Sequence, residues 1–258
     1  GTQLLFVHRS LPGTDIYWVN NRSSVNEKAE AVFRVEGKEA EIWHPETGKI
    51  EQASFEISDG MTKVPLSLVP NDAIFVVFRK RTSEKSRIIH QPVETVLSEI
   101  TGPWDLTFQA GRGAPDKITL DSLSEWNVNP DPGVKYFSGT CTYSKNIDVP
   151  QDWLDNGKCI WLDLGNVKNL AEVIVNGKSI GIIWKTPFRI ELTGRLRAGS
   201  NDLEIKVTNL WVNRLIGDQQ PGADKKYTYT TMAFYQADSP LLPSGLLGPV
   251  KILNLSGI

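Results

Sequence analysis

The segment Ala171-Glu172-Val173-Ile174-Val175-Asn176-Gly177-Lys178-Ser179-Ile180-Gly181 decides the fold class. It reads as a β-hairpin with an apolar face turned to a core. Asn176-Gly177 supplies the tight turn, because both residues tolerate positive φ. Working outward, strand-like runs recur at residues 139–149, 159–164 and 203–207, and Gly199-Ser200-Asn201 marks another turn. Trp104-Asp105-Leu106-Thr107-Phe108 opens this half of the chain. Further upstream, Leu4–Val7, Ile16–Val19, Ala31–Val35, Ala40–Trp43, Ser54–Ile57, Lys63–Leu68 and Ala73–Phe78 are strand candidates. Asp59-Gly60 is a second hairpin dipeptide. About seven strands in about 80 residues is the density of a β-sandwich. The only helical signal is a short one at Gln151–Leu154, and no internal repeat is present.

These patterns predict an all-β chain of two β-sandwich domains. The first spans 1–82 and the second, a jelly roll, 101–258. A linker is expected at 83–100, opened by the charged run from Arg79-Lys80-Arg81 to Arg87 and containing at most one extended segment near Val93–Leu97.

Composition narrows the function classes. The net charge is -2. It is evenly spread, so no electrostatic footprint for nucleic acid or an anionic membrane exists. No apolar run is long enough to span a bilayer. The two cysteines, Cys141 and Cys159, fall in separate strands and are expected as free thiols. The chain starts Gly-Thr-Gln without Met or a signal peptide, which reads as a segment of something larger.

Chemistry-bearing motifs are sparse. Glycoside hydrolysis needs two carboxylates facing one bond. Asp121, Glu125, Asp131 and Asp148 have no context that marks them, so solvated loop acids are the plainer reading. His8, His44 and His90 are scattered, without nucleophile or metal-ligand context. Jelly rolls can hold a structural Ca2+, but no EF-hand-like spacing supports one here. No catalytic residue, metal ligand or cofactor is therefore expected.

Recognition residues are sought instead on the irregular stretches 109–135 and 209–245. Trp126, Trp184 and Trp211 could offer an indole face to the C–H face of a sugar ring. The competing reading places all three in cores. Asn213, Arg214 and Asp218 could bind hydroxyls or dock another domain, or form an internal ion pair. The two stretches are expected close together, with at least one of the three tryptophans accessible beside Arg214 or Asp218.

The cadence Val175-Asn176-Gly177-Lys178, Pro187-Phe188, Leu192-Thr193 and Gly199-Ser200-Asn201-Asp202-Leu203 resembles the galactose-binding-like, sugar-binding jelly roll of the β-galactosidase and β-glucuronidase class. Val7-His8-Arg9, Ile42-Trp43-His44-Pro45-Glu46-Thr47-Gly48, Thr208-Asn209-Leu210-Trp211-Val212-Asn213-Arg214 and Pro243-Ser244-Gly245-Leu246-Leu247-Gly248-Pro249 resemble the C-terminal half of bacterial multidomain α-L-rhamnosidases. The resemblance implies a non-catalytic, carbohydrate-binding accessory region of a glycoside hydrolase. Its partners would be a glycan and an upstream catalytic domain that this chain lacks, in the periplasm or outside the cell. A stand-alone carbohydrate-binding protein and a purely structural or docking module are the alternatives.

Overall fold

The computed structural model describes residues 3–155, 157–223 and 225–257. The chain divides into two compact units, residues 1–91 and 92–258.

Unit 1 contains β1 (Leu4–Leu11), β2 (Thr14–Asn21), β3 (Glu27–Phe33), β4 (Glu41–Trp43), β5 (Ile50–Gln52), β6 (Phe55–Ser58), β7 (Met61–Leu68), β8 (Ala73–Phe78) and β9 (Ser86–Arg87). They form two sheets ordered β1-β2-β8-β4-β5 and β3-β7-β6-β9. In β7 the inward residues Thr62, Val64, Leu66 and Leu68 are buried, and Lys63, Pro65 and Ser67 point outward. This is the two-residue period that a half-buried strand requires. Burying one such Val or Leu contributes roughly 1.5–3 kcal/mol. Asp59 and Gly60 take φ of 52° and 73° and join β6 to β7, with Ser58 paired to Met61. The β8 run is apolar throughout, and Ile74, Val76, Val77 and Phe78 are all buried.

The one deeply buried carboxylate of β4, Glu41, has three donors. Arg79 Nε lies at 2.8 Å, Lys80 Nζ at 2.8 Å and Trp43 Nε1 at 2.9 Å. Burial alone would raise its pKa, but these charged and neutral donors outweigh burial and hold it at about 2.

Unit 2 contains β10 (Val93–Glu99), β11 (Trp104–Phe108), β12 (Lys117–Leu120), β13 (Thr140–Val149), β14 (Cys159–Asp163), β15 (Asn166–Lys168), β16 (Leu170–Val175), β17 (Lys178–Ile183), β18 (Arg189–Glu191), β19 (Gly199–Thr208), β20 (Gly245–Gly248) and β21 (Lys251–Ser256). A six-stranded sheet, β12-β11-β13-β19-β16-β17, and a four-stranded sheet, β10-β21-β14-β18, supply its core, with a small β15-β20 pair. Two short α-helices interrupt the loops, α1 (Pro132–Lys135) and α2 (Val212–Gly217). Gln151–Leu154 forms a single 3-10 turn. Both thiols are free, one in each main sheet.

The opening hairpin behaves as read: Asn176 and Gly177 take φ of 50° and 75°, and Val175 pairs with Lys178. Its turn is locked to the start of β19. Asn201, fully buried, donates to the carbonyls of Arg197 (2.7 Å) and Gly199 (2.9 Å). Its Oδ1 accepts from Arg197 N (3.0 Å) and Asn176 Nδ2 (2.9 Å). Asn176 Oδ1 in turn accepts from Asp202 N at 3.1 Å.

The expected linker at 83–100 is not one segment. Ser86–Arg87 pairs with β6 in unit 1, Val93–Glu99 pairs with β21 in unit 2, and the units part between Gln91 and Pro92. Val93 and Val96 are exposed, and β10 is held by its backbone ladder together with Leu97, packed on the core, and Glu94, paired with Arg189 at 2.6 Å. The extended segment expected near Val93–Leu97 lies within this strand. Lys117–Leu120, in a stretch expected to be irregular, pairs with β11.

Candidate functional site at the loop end of unit 2

Register fixes one end of the six-stranded sheet. Phe108 pairs with Cys141, Thr140 and Leu170 both flank Thr208, and Ala171 pairs with Ile183. The segments beginning at Gln109, Asn209 and Trp184, and those ending at Gly139 and Asn169, therefore all emerge at this end. Backbone bonds from Gln109 N to Thr140 O and from Asn169 N to Thr208 O, both 2.9 Å, close it. Trp184 leaves the sheet two strands from where Asn209 does, about 10 Å away at ordinary strand spacing.

The long loop after β19 starts with α2. Trp211 precedes the helix, and its carbonyl accepts from Leu215 N at 3.0 Å. Asn213, Arg214, Ile216 and Gly217 form the buried face. Arg214 and Asp218 stand one turn apart and face each other, Nε to Oδ1 at 2.9 Å, with side-chain exposures of 7% and 2%. This contact is an ion pair whose N–H is not aligned as a hydrogen bond. The other carboxylate oxygen of Asp218 accepts from Tyr227 N (2.9 Å), Thr228 N (2.8 Å) and Thr228 Oγ1 (2.6 Å). The Arg214 guanidinium lies over the Tyr227 ring, 4.9 Å from its centroid. Asn213 clamps the return of the loop: Nδ2 donates to Leu242 O at 2.8 Å, and Oδ1 accepts from Leu242 N at 2.9 Å. Gly217 is required by close approach, since a Cβ there would come within 2.5 Å of Tyr136 Cβ.

Of the two readings of Asn213, Arg214 and Asp218, these contacts match the internal ion pair and turn the three side chains away from a ligand. The six-residue helix buries the face that carries Asn213 and Arg214, and its C-cap Asp218 is buried beside them. Their polar atoms hold 226–244 onto the domain. Trp126 is corrected in the same way. It is 1% exposed, with ring centroids 5.8 Å from Phe108, 5.5 Å from Phe137 and 6.2 Å from Tyr143. Its loop setting suggested a surface residue, but the indole plugs the core.

Trp184 and Trp211, by contrast, are 60% and 48% exposed. The two irregular stretches do meet. Arg112 stacks over Trp211 at 4.8 Å, Trp126 N donates to Ser244 O at 2.9 Å, and Gly113 approaches the Tyr227 ring. Two depressions open here. One, of about 260 Å3, is lined by Leu215, Gln219, Lys226, Tyr229, Phe234 and Tyr235 among others; Tyr229 and Phe234 project far into solvent. The other, of about 170 Å3, lies among Lys168, Asn169, Leu210, Leu242 and the backbone around Ser244. Exposed aromatic faces next to amide and ammonium groups can stack on a sugar ring and bind its hydroxyls. Arg112, which stacks over Trp211, and Lys168 and Asn169, which line the second depression with Leu210 and Val212, escaped the sequence reading, because no local pattern marks them.

The unmarked acids also have local duties. Asp131 Oδ1 accepts from Gly133 N at 2.7 Å and caps α1, whose first residue is Pro132. Glu125 accepts from Asn127 Nδ2 at 3.0 Å. In unit 1, His8 stacks on Tyr17 (4.1 Å) and bonds Asp15, and His44 bonds Glu51. Among the described residues no three His, Cys, Asp or Glu side chains group to hold a metal ion. No helix among them is long and apolar enough to cross a membrane.

Comparison with known proteins bears on the fold of both units. Residues 1–57 match the alpha-L-rhamnosidase family, and residues 126–237 match the family described as glycosyl hydrolase 2 galactose-binding domain-like. A solved rhamnosidase from Novosphingobium sp. PP1Y is 47% identical, with a TM-score of 0.89 over 98% of this chain and 24% of that one. A putative beta-glucuronidase of Formosa agariphila is 38% identical over 176 residues, 59% of this chain and 15% of the relative. A beta-glucuronidase of the same organism is 31% identical over 97 residues, 36% of this chain and 10% of the relative. The chain thus spans a quarter or less of the length of these proteins. It is similar to part of a rhamnosidase through both units, and unit 2 carries a galactose-binding-like sandwich.

Proposed function

We propose that this chain is a non-catalytic accessory region of an α-L-rhamnosidase-type glycoside hydrolase. The catalytic carboxylates belong to a domain outside it, and the loop end of unit 2 contacts glycan. One observation carries the reading: Trp184 and Trp211 are exposed at the same end of a galactose-binding-like sandwich, and two part-polar depressions open along the loop that follows Trp211. In an ordinary core both indoles would be covered. The likeness to a rhamnosidase along nearly the whole chain supports the choice of parent. A parent of this kind, acting on extracellular polysaccharide, works in the periplasm or outside the cell.

The test has two arms. The 258-residue chain releases no sugar from aryl rhamnosides, galactosides or glucuronides. It retains rhamnose-containing oligosaccharides in affinity electrophoresis, and Trp184→Ala or Trp211→Ala weakens retention at unchanged melting temperature. Each such contact is worth roughly 1 kcal/mol, so a three- to tenfold loss is expected. Trp126→Ala serves as the contrast, because it lowers stability by roughly 3–5 kcal/mol. Turnover abolished by replacing one carboxylate of this chain would overturn the accessory reading. Retention indifferent to both exposed tryptophans would remove glycan contact from this end.

A further inference from the structure

Arg112 is held over Trp211 by a built loop. It stands between Gly111 and Gly113, whose φ of 73° and 90° lie in the left-handed region that favours glycine. Gly113 is pressed onto the interior. A Cβ there would stand 3.0 Å from the Tyr227 ring and 3.3 Å from the Arg214 guanidinium. Tyr227 is fixed in turn by its N–H bond to Asp218 and by Arg214 over its ring. The tip of the loop therefore rests on the same buried network that holds 226–244. On its outer side it sets the Arg112 guanidinium 4.8 Å from the centre of the half-exposed Trp211 ring.

Arg112 has no acid there. Arg87 and Arg189, half-buried as it is, each hold two carboxylates: Glu39 and Glu84, and Glu94 and Asp163. Among the described residues Arg112 holds none. Lys226 and Lys168, which line the two depressions, are in no ion pair among them either. The buried acid of the loop, Asp218, is already engaged by Arg214, Tyr227 and Thr228. The segments 109–116, 168–169, 184–188 and 209–244 hold six basic and four acidic residues, a local positive excess in a chain of net charge -2.

We propose that the glycan taken at this end is acidic, with Arg112 reading the carboxylate of a uronic acid whose ring lies beside Trp211. The inference rests on the glycan contact proposed above and names its chemical class. A guanidinium over an aromatic face keeps its in-plane N–H donors for another partner. A carboxylate is planar and takes two parallel N–H bonds from that fork, each stronger than a bond to a neutral hydroxyl. Lys168 and Lys226 add point charges that draw an anion to the same rim. A few separate cations beside aromatic faces do not form the continuous basic stripe that nucleic acid requires.

The experiment is affinity electrophoresis of the 258-residue chain with oligosaccharides of alternating rhamnose and uronic acid, and with the same oligosaccharides after carboxyl reduction to neutral sugar. The acidic form is expected to bind about tenfold more tightly than the reduced form, the worth of a charge-assisted bond. Arg112→Ala abolishes that preference, and Arg112→Lys, which keeps the charge and loses the fork, restores only part of it. Polyglutamate of matching charge is not retained. Equal binding of the acidic and reduced forms would overturn the proposal, as would a preference that Arg112→Ala leaves intact. Retention of polyglutamate as strong as that of the acidic oligosaccharide would assign the cations to polyanions in general and overturn it too. Equal binding of both forms that still depends on Trp184 and Trp211 refutes the acidic preference alone. Binding of neither form refutes the glycan contact itself, and the preference with it.

Discussion

Replacing Arg214 by Ala should unfold the loop end of unit 2 before it affects any ligand. The substitution removes the partner of Asp218, whose side chain is 2% exposed, and leaves a buried carboxylate uncompensated. Breaking a buried pair from one side costs about 3–5 kcal/mol. Three hydrogen bonds from Tyr227 and Thr228 remain on the other oxygen and shelter part of the charge, which favours the lower end. Loss of the guanidinium over Tyr227 adds about 0.5–1 kcal/mol. The expected total is roughly 3–4 kcal/mol. For a domain of this size, with about 2–4 °C per kcal/mol, the melting temperature falls by roughly 6–16 °C. The assay is thermal unfolding of the 258-residue chain by near-ultraviolet circular dichroism, with Arg214→Ala, Asp218→Asn and the double variant forming a cycle. The double variant should be less destabilised than the sum of the singles by at least about 1.5 kcal/mol, because no unpaired charge is left buried. A single-variant cost under about 1 kcal/mol, or a coupling near zero, would show that the pair does not hold the loop.

Two further outcomes follow from ionisation and accessibility. Glu41 is held at about 2, below its ordinary 4.5, so its contribution to unit 1 is complete above pH 4.5 and is lost as pH falls toward 2. Glu41→Gln should lower stability at neutral pH and flatten the acid limb of the stability curve, and parallel curves for the two proteins would contradict this. In the native chain one thiol should react with Ellman's reagent, part-exposed Cys159, whereas Cys141, whose pKa burial pushes up, should react only after unfolding; equal rates for both would refute that assignment.

The parts of the fold legible in the sequence were those written in side-chain alternation and turn chemistry. Asn176-Gly177 and Asp59-Gly60 gave two hairpins, since a positive φ at two successive positions admits few residues. The extended segment near Val93–Leu97 was legible as such but not its pairing with β21, and the strands at 86–87 and 117–120 were not legible, being too short for an alternation signal. The site was legible by location more than by residue. Loop-rich composition marked 109–135 and 209–245, and these do meet. Which side chains face out depended on the six-residue helix at Val212–Gly217, too short for a periodic signal. That helix turns Asn213, Arg214 and Asp218 inward while Trp211 stays out. Trp126 and Trp184 look alike as sequence, and only packing against Phe108, Phe137 and Tyr143 distinguishes a plug from a platform.

The network of Asn176 and Asn201 has a consequence for the opposite end of unit 2. It ties the hairpin turn to the start of β19 through bonds that involve backbone and amide groups alone. Strand order and register are therefore anchored about eight residues away from the rim that carries Trp184 and Trp211. The domain has one pole pinned by side-chain amides and one built from loops. A change of loop at the rim therefore leaves the pinned register in place, because the amides that hold it lie at the other end of the strands.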